Sequence, residues 1–477
     1  MFGDKGTLIL GAGPAGMAAA LELHKAGQPF IVIEKNERVG GLAKTFDYGG
    51  FRTDVGPHRF FSQNKYLYAL IGGLLGDRWI KVDRLTRFYI KGKYLLYPVK
   101  LNNAFWRIGP LRTTKIFCDY LTQRTRNLFV KRKPASFQEQ IIADFGESLA
   151  RLNIINYTEK VWGLPCTDIS ADWARQRIKG LSLREIIKNA FIKSKHQPKT
   201  LIDQFYYPDT GTGLIYEKMR ERILANPSAG RQSIMTGCFP MKIIHDDNKI
   251  NEVILNNNGD RLVYQPENVV SSIPINEMVE LLDPKPPVEI LEAAGNLRFR
   301  SHVSLFLILT KSSVFKDQWI YFPDQEIPFG RIMEPKNFSA KMSLPDKTSL
   351  LIEFFCWEKD AIWNSSRERL TELSIGWLNK LGFLHQEEIG DSYLHKEKYA
   401  YPLYDLNYKK WLGIVKAYLH KLSNLQLIGR GGCFRYNNQD HALEMGIVSA
   451  RNIINNRKDD IEEVGAAQVY FEQGYSR

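Results

Sequence analysis

Apolar positions near the start of the chain fall into two short runs, TLIL at 7–10 and FIVI at 30–33. An alanine-rich stretch lies between them and closes at Gly27. The runs predict buried strands, and the alanine-rich stretch predicts a helix through Ala26. From 65 to 200 the pattern is mostly helical. The aromatic-rich RFYIKGKYLLYPVK interrupts it and predicts a hairpin turning at Gly92. Residues 232–274 alternate, predicting three or four strands with turns at Asp246–Asn248 and Asn258–Gly259. Residues 297–357 add strands, among them RSHVSLFLIL and SLLIEFFCW, and a helix is expected from about Arg367 to Leu381. The pattern ends with a strand LQLIG, a glycine turn RGG, and a helix opening at Asp440 and running to about Asn455.

The glycines GAGPAG sit between the first strand and its helix, the context a dinucleotide fingerprint requires. Gly11 makes the tight turn, Gly13 lets backbone approach a pyrophosphate, and Gly16 allows close helix packing, with Pro14 and Ala15 opening the helix. Exposed N–H groups at that helix start suit phosphate. Glu34, at the end of the second strand, is placed to accept from ribose hydroxyls, with Lys35 beside it. Next comes KNERVGGLAKTF, whose second glycine pair, Gly40 and Gly41 before Leu42, supplies the extra backbone that an extended FAD needs. Arg38 is placed to offset phosphate charge. In DVGPHRFF, the turn Gly56-Pro57-His58 presents a histidine after a strand, for a ligand or for a capping or core role.

Composition narrows the class. The 477 residues are 44% apolar, 25% charged and 12% aromatic, enough for two or three folded domains. Five cysteines are scattered with no CxxC pair and no metal-ligand spacing, so no metal site is expected, and a reducing, cytoplasmic setting is. The strand pattern begins by Thr7, leaving no room for a secretory leader, and the apolar run VSLFLIL at 303–309 is too short to span a bilayer. The net charge of +13 is concentrated: residues 107–133 hold eight Lys or Arg against one acid, and residues 175–199 repeat that ratio. Such spans suit solvated helix faces, a phosphorylated small substrate or an anionic membrane surface. No zinc finger, helix-turn-helix or RNP-type pattern accompanies them, so nucleic acid is not expected as a partner.

GAGPAG, Glu34, RVGG and the strand VVSSIP together resemble the FAD-binding core of the amine oxidase and protoporphyrinogen oxidase superfamily. Three further stretches resemble its UDP-galactopyranose mutase branch: GPHRFF at 56–61, the YTEKVWG turn at 157–163, and GRGGCFRYNNQDHAL at 429–443. The resemblance implies an α/β fold, with a Rossmann-like FAD domain of the glutathione-reductase type, an inserted helical domain and a mixed or antiparallel sheet for substrate. The implied boundaries are FAD domain at 1–75, 206–285 and 401–460, helical insert at 76–205, substrate sheet at 286–400, and a tail at 461–477. It implies a ring-contraction isomerase acting on a nucleotide-diphosphate sugar through N5 of reduced FAD, with NAD(P)H or a reductase as electron donor. Trp162 would line the sugar-nucleotide cleft; Arg177 and Arg300 would reach the diphosphate, with Tyr401 and Tyr436. His58 would lie against the flavin, and Asp440 would hold it near a helix start, with Met241, Gly429, Arg430 and Ala442 also at the cofactor. Against these roles stand bland ones, a surface position for either arginine and a core position for Trp162.

The resemblance is incomplete. Phe61 stands where the mutases usually have a second histidine, and Phe434 and Gln439 replace a tyrosine and a methionine in the C-terminal signature. The segment from about 84 to 135 is longer than a compact mutase requires. An alternative is therefore an FAD-dependent oxidoreductase, like the amine and protoporphyrinogen oxidases, acting on a sugar, amine or isoprenoid-type substrate. Phe105, Trp106, Phe117 and Phe129, interleaved with the first basic span, also raise contact with the surface of the inner membrane.

Overall fold

The computed structural model describes residues 6–90, 92–96, 110–129, 133–178, 204–225 and 232–465. In chain order the elements that shape the site are β1 (Thr7–Leu10), α1 (Pro14–Lys25), β2 (Phe30–Glu34), α2 (Pro110–Phe129), α3 (Ile155–Trp162), α4 (Ala171–Ile178) and β3 (Gln232–Thr236). They continue with β4 (Asn268–Ser271), β5 (Phe299–Leu309), β6 (Arg331–Met333), β7 (Thr348–Cys356), β8 (Ile389–Pro402), β9 (Leu425–Leu427) and α5 (Gln439–Asn455).

Strands β9-β4-β1-β2-β3 form a parallel sheet in that order. Every residue of β1 and β2 is buried, as expected where helices cover a parallel sheet. The chain leaves this sheet after β2 and returns to it at β3, β4 and β9, so about two hundred residues are spliced between β2 and β3. The small residues of α1 allow α5 to cross it at backbone contact, where a side chain on Gly446 would collide with the Ala15 carbonyl.

A second sheet, ordered β8-β5-β7-β6 and continued by Trp319–Tyr321, Thr86–Ile90 and Lys93–Leu96, forms the other layer. Its central strands β5 and β7 are buried on both faces. Val303, Leu305 and Leu307 pack with Leu370 and Leu378 of the helix Arg367–Lys380, while Phe306 and Leu351 pack on the opposite face with Phe51, Tyr207 and Phe338. That two-sided burial explains why the sequence shows a continuous apolar run there.

The hairpin around Gly92 forms as expected, Arg87 facing Leu96 and Ile90 facing Lys93. It extends the large sheet through a parallel pairing with Trp319–Tyr321, so part of the 76–205 segment is a strand pair of that sheet rather than helical. An ion pair ties it down: Arg87 donates Nε to Asp317 Oδ1 at 2.8 Å and Nη2 to Oδ2 at 2.5 Å. Asp317 is fully buried. YTEKVWG is not a turn but the body and end of α3, closed by Gly163 in the left-handed region at φ 63°.

Arg87→Ala would strand the Asp317 carboxylate without its partner, a loss of about 3 kcal/mol. Chemical denaturation should register that loss, and an unchanged midpoint would show that the hairpin is not held by this pair.

Candidate active site

The first part of the site is a cradle for a dinucleotide. Helix α1 starts at Gly13 with Pro14 in its first turn, and no side chain caps it. Its first N–H groups are thus available to an anion. Gly40 and Gly41 both have positive φ, and a Cβ on Gly41 would stand 3.0 Å from the Gly13 Cα, so only bare backbone meets there. The buried Glu34 accepts from the Ala12 N–H at 2.9 Å and from the Asn36 backbone at 3.0 Å and side chain at 2.7 Å. A carboxylate has about four acceptor positions, so room remains for a ribose hydroxyl. Lys35 and Arg38 are exposed, and Arg38 reaches the Thr45 carbonyl.

Opposite the cradle, α5 begins beside buried oxygens with no hydrogen-bond partner among the described residues, Asp440 Oδ1 and Gln439 Oε1, and the Tyr216 hydroxyl is in the same state. Burial raises the Asp440 carboxyl above its usual range. Gln439 donates its amide to Thr212 Oγ1 at 2.7 Å, leaving its oxygen for another donor. Unpaired buried acceptors beside an open helix start and a glycine pair fit a bound dinucleotide with polar groups along its length. Gly429 is in the left-handed region and Ala442 is buried, both near this end of the sheet. Met241 stands apart from these groups, 42% exposed, where the ladder between Cys238–His245 and Ile250–Asn257 skips a residue.

The second part is a cleft floor assembled around a buried carboxylate. Glu353 on β7 is fully buried. Burial alone would raise its carboxyl; Arg331 and His302 override this and hold it at about 2. Arg331, on β6, donates Nη2 to Oε1 at 2.7 Å and Nε to Oε2. His302 on β5 approaches Oε1 at 2.8 Å. The turn Gly56-Pro57-His58 rests on this carboxylate: a Cβ at Gly56 would lie 2.8 Å from Glu353 Oε1. His58 Nδ1 lies 2.8 Å from the Gly56 carbonyl, which accepts a hydrogen bond from it in the Nδ1–H tautomer. Desolvation lowers its pKa to about 4, with Arg430 and Arg331 adding to the effect, so His58 is neutral at pH 7.

Aromatic rings close the floor. Tyr401 and Tyr436 stack at 5.9 Å, Trp173 meets Tyr436 edge-on at 4.7 Å, and Trp162 meets Trp173 edge-on at 4.8 Å. Arg430 lies over both tyrosine rings, 5.3 Å from Tyr401 and 5.1 Å from Tyr436, and donates to the Ala400 and Asn437 carbonyls at 2.9 and 2.6 Å. Burial pushes Tyr401 up to about 12, with Arg331 opposing it, and burial likewise raises Tyr157 well above the usual phenol value. Both phenols therefore remain protonated donors.

Several residues expected at the site thus converge here: His58, Tyr401, Tyr436, Arg430 and, behind them, Trp162. Trp162 is a buried wall of the aromatic stack, 2% exposed, rather than an open face of the cleft. Arg300 is built into the core. It is 4% exposed, donates Nε to the Val161 carbonyl at 3.0 Å and Nη2 to the Phe355 carbonyl at 2.8 Å, and lies 3.6 Å from Asp360. A side chain at Gly163 would come within 2.6 Å of its guanidinium, so Arg300 packs against the end of α3, its buried Nη1 without a hydrogen-bond partner among the described residues. Arg177 lies in the last turn of α4, with its side chain outside the described residues. The substituted signature positions are also packed. Phe434 meets Phe299 edge-on at 4.9 Å and is 1% exposed, and Phe61 is 8% exposed.

Sequence reading missed Arg331, Glu353, His302 and Tyr157. One signal was available for two of them: Glu353 and His302 are single polar residues inside the apolar runs SLLIEFFCW and RSHVSLFLIL. A charge inside a two-sided strand has to be paired. Arg331 in the short strand RIM carries no such mark.

A dinucleotide cradle together with this cluster of arginines and aromatic rings fits a flavin-dependent enzyme. The chain belongs to the family of flavin containing amine oxidoreductases, whose model matches residues 14–454. UDP-galactopyranose mutase in its reduced state superposes with a TM-score of 0.83 at 22% identity, over 98% of this chain and 97% of that one. Putrescine oxidase bound to putrescine superposes with a TM-score of 0.61 at 17% identity, over 94% and 99%. Local sequence matches are shorter. A 1-hydroxycarotenoid 3,4-desaturase from Flavobacterium sp. (strain P99-3) is 46% identical over 56 residues, 12% of each chain. A probable UDP-galactopyranose mutase from Klebsiella pneumoniae is 22% identical over 173 residues, 35% of this chain and 44% of that protein. The matched region thus spans less than half the length of these curated relatives.

His58 links the site to pH. Its pKa falls from 6.5 in the unfolded chain to about 4 in the fold, so below pH 6.5 only the unfolded chain takes up the proton. The stability that neutral His58 contributes is full above pH 6.5 and lost toward pH 4. Thermal melts of the parent should therefore fall more steeply over that window than those of His58→Gln; parallel curves would refute a buried neutral histidine.

Proposed function

We propose that this enzyme rearranges a nucleotide-activated sugar, contracting its ring in the manner of UDP-galactopyranose mutase, with reduced FAD as the working form. The observation that carries this reading is the Arg331–Glu353 unit, set among Tyr157, Tyr401 and Tyr436 with Arg430 beside them. A diphosphate concentrates negative charge, and it is matched by guanidinium groups with neutral phenol donors, Glu353 balancing part of the Arg331 charge and Arg430 adding a second cation. The similarity in fold along nearly the whole length of the mutase supports the same reading.

Each residue then has a physical task. Glu353 holds one edge of Arg331 through Nε and Nη2 and fixes the plane of its guanidinium, whose remaining N–H groups would face the diphosphate from β6. Tyr157 and Tyr401 donate hydrogen bonds as protonated phenols. Trp162 and Trp173 back the tyrosines and keep water from their far side. His58, neutral and held by Gly56, borders the flavin without adding a full charge. The chemistry that FAD supplies when bound is a nucleophilic N5 in the reduced form, or a hydride acceptor in the oxidised form. Arg177 and the remaining cradle residues complete the proposed contacts. NAD(P)H or a reductase would renew the reduced state, and the setting would be cytoplasmic polysaccharide assembly.

The test is turnover of dithionite-reduced, FAD-loaded protein on a panel of UDP- and TDP-hexopyranoses, followed by anion-exchange chromatography. The expected product is a ring isomer of unchanged mass. Peroxide released in air with a sugar, amine or isoprenoid substrate would instead establish the oxidoreductase reading. Arg331→Lys, which keeps a cation beside the buried Glu353, should weaken UDP binding about tenfold with FAD content unchanged. Equal affinity in variant and parent would remove Arg331 from the diphosphate site.

A further inference from the structure

Helix α2 differs from its surroundings in what it turns to solvent. Its inner face packs on the helix Phe137–Phe145 and the turn after it through Tyr120, Asp119 and Asn127. Tyr120 is 7% exposed, and Asn127 donates to the Ala143 carbonyl at 2.8 Å. The opposite face presents Phe117, Leu121 and Phe129, exposed by 49%, 46% and 86%, with Cys118, Thr122 and Thr125 between them. At 100° per residue, Lys115 and Arg126 flank this stripe on one side and Arg124 on the other, and all three are exposed. None of the three takes part in an ion pair among the described residues.

The single acid of residues 107–133, Asp119, is turned inward onto the Ser148 hydroxyl. The outer face therefore carries bulky apolar side chains and cations with no carboxylate to offset them. A solvated helix normally mixes both signs of charge, and a protein-binding groove would not need the flanking cations. We propose that α2 lies flat in the headgroup region of an anionic phospholipid bilayer. Lys115, Arg124 and Arg126 would meet lipid phosphates, and Phe117, Leu121 and Phe129 would enter the acyl boundary. This assignment rests on charge complementarity and on exposure, and it holds whatever substrate the cleft takes.

The experiment is co-sedimentation of the FAD-loaded full chain with phosphatidylcholine vesicles, with and without phosphatidylglycerol. The protein should pellet with the anionic vesicles, remain in solution with neutral ones, and be released by high salt. Phe117→Ser/Phe129→Ser and Lys115→Glu/Arg126→Glu should each lower the bound fraction about tenfold at parent-level FAD content. Bimane attached to Cys118, the one exposed cysteine of the five, should shift to the blue on vesicle binding. Failure to pellet with anionic vesicles would overturn the proposal, as would parent-like binding by both double variants. A self-associated parent that becomes monomeric in Phe117→Ser/Phe129→Ser without binding vesicles would also overturn it, assigning the face to a second copy of the chain.

Discussion

A carboxylate with no access to water has to be neutralised where it stands, and the cleft is organised around one. Glu353 sits on a central strand buried on both faces, where an unpaired charge would cost several kcal/mol. Arg331 and His302 satisfy it from the two neighbouring strands. Because β5, β6 and β7 must hold register for those bonds to form, the same unit ties strand pairing to the position of the Arg331 guanidinium. The Gly56-Pro57-His58 turn comes from the FAD domain and rests against this carboxylate, so one interaction also sets the distance between the two layers.

From that constraint follows a division of labour among arginines that look alike in sequence. Arg300 is spent on structure. It satisfies carbonyls of α3 and β7, and burial lowers its pKa to about 10, against the pull of nearby groups such as Asp360. Arg430 is held flat over two tyrosines by backbone acceptors. Arg331 instead pairs through Nε and Nη2 with the buried Glu353. The aromatic wall of Trp162, Trp173, Tyr401 and Tyr436 draws on four separate segments, so its shape depends on the docking of α3, α4 and β8 around the same point.

The dinucleotide half was legible because its requirements are local. A strand, a glycine turn and a small-residue helix in succession allow few alternatives, and Thr7–Leu10, Pro14–Lys25 and Phe30–Glu34 appear within a residue or two of their expected limits. The helix Arg367–Lys380 and α5 were legible for the same reason, periodicity bounded by caps. The substrate half was harder because its partners are distant in the chain. Arg331 meets Glu353 across 22 positions, and the hairpin at Gly92 finds its sheet through Asp317, 230 positions from Arg87. Motif position alone could not tell Arg300 from Arg331, since what separates them is which carbonyls and which carboxylate the fold brings near.

The most direct measurement is calorimetric titration of the FAD-loaded protein with UDP and, in parallel, with uridine. If Arg331, Arg430 and the protonated tyrosines form a diphosphate site, UDP binds in the micromolar range and uridine about a hundredfold more weakly, because the charge-assisted contacts are lost with the phosphates. Equal affinity for the two, or no binding of UDP to either the oxidised or the reduced protein, would contradict a cleft built around the buried Arg331–Glu353 pair for phosphate recognition.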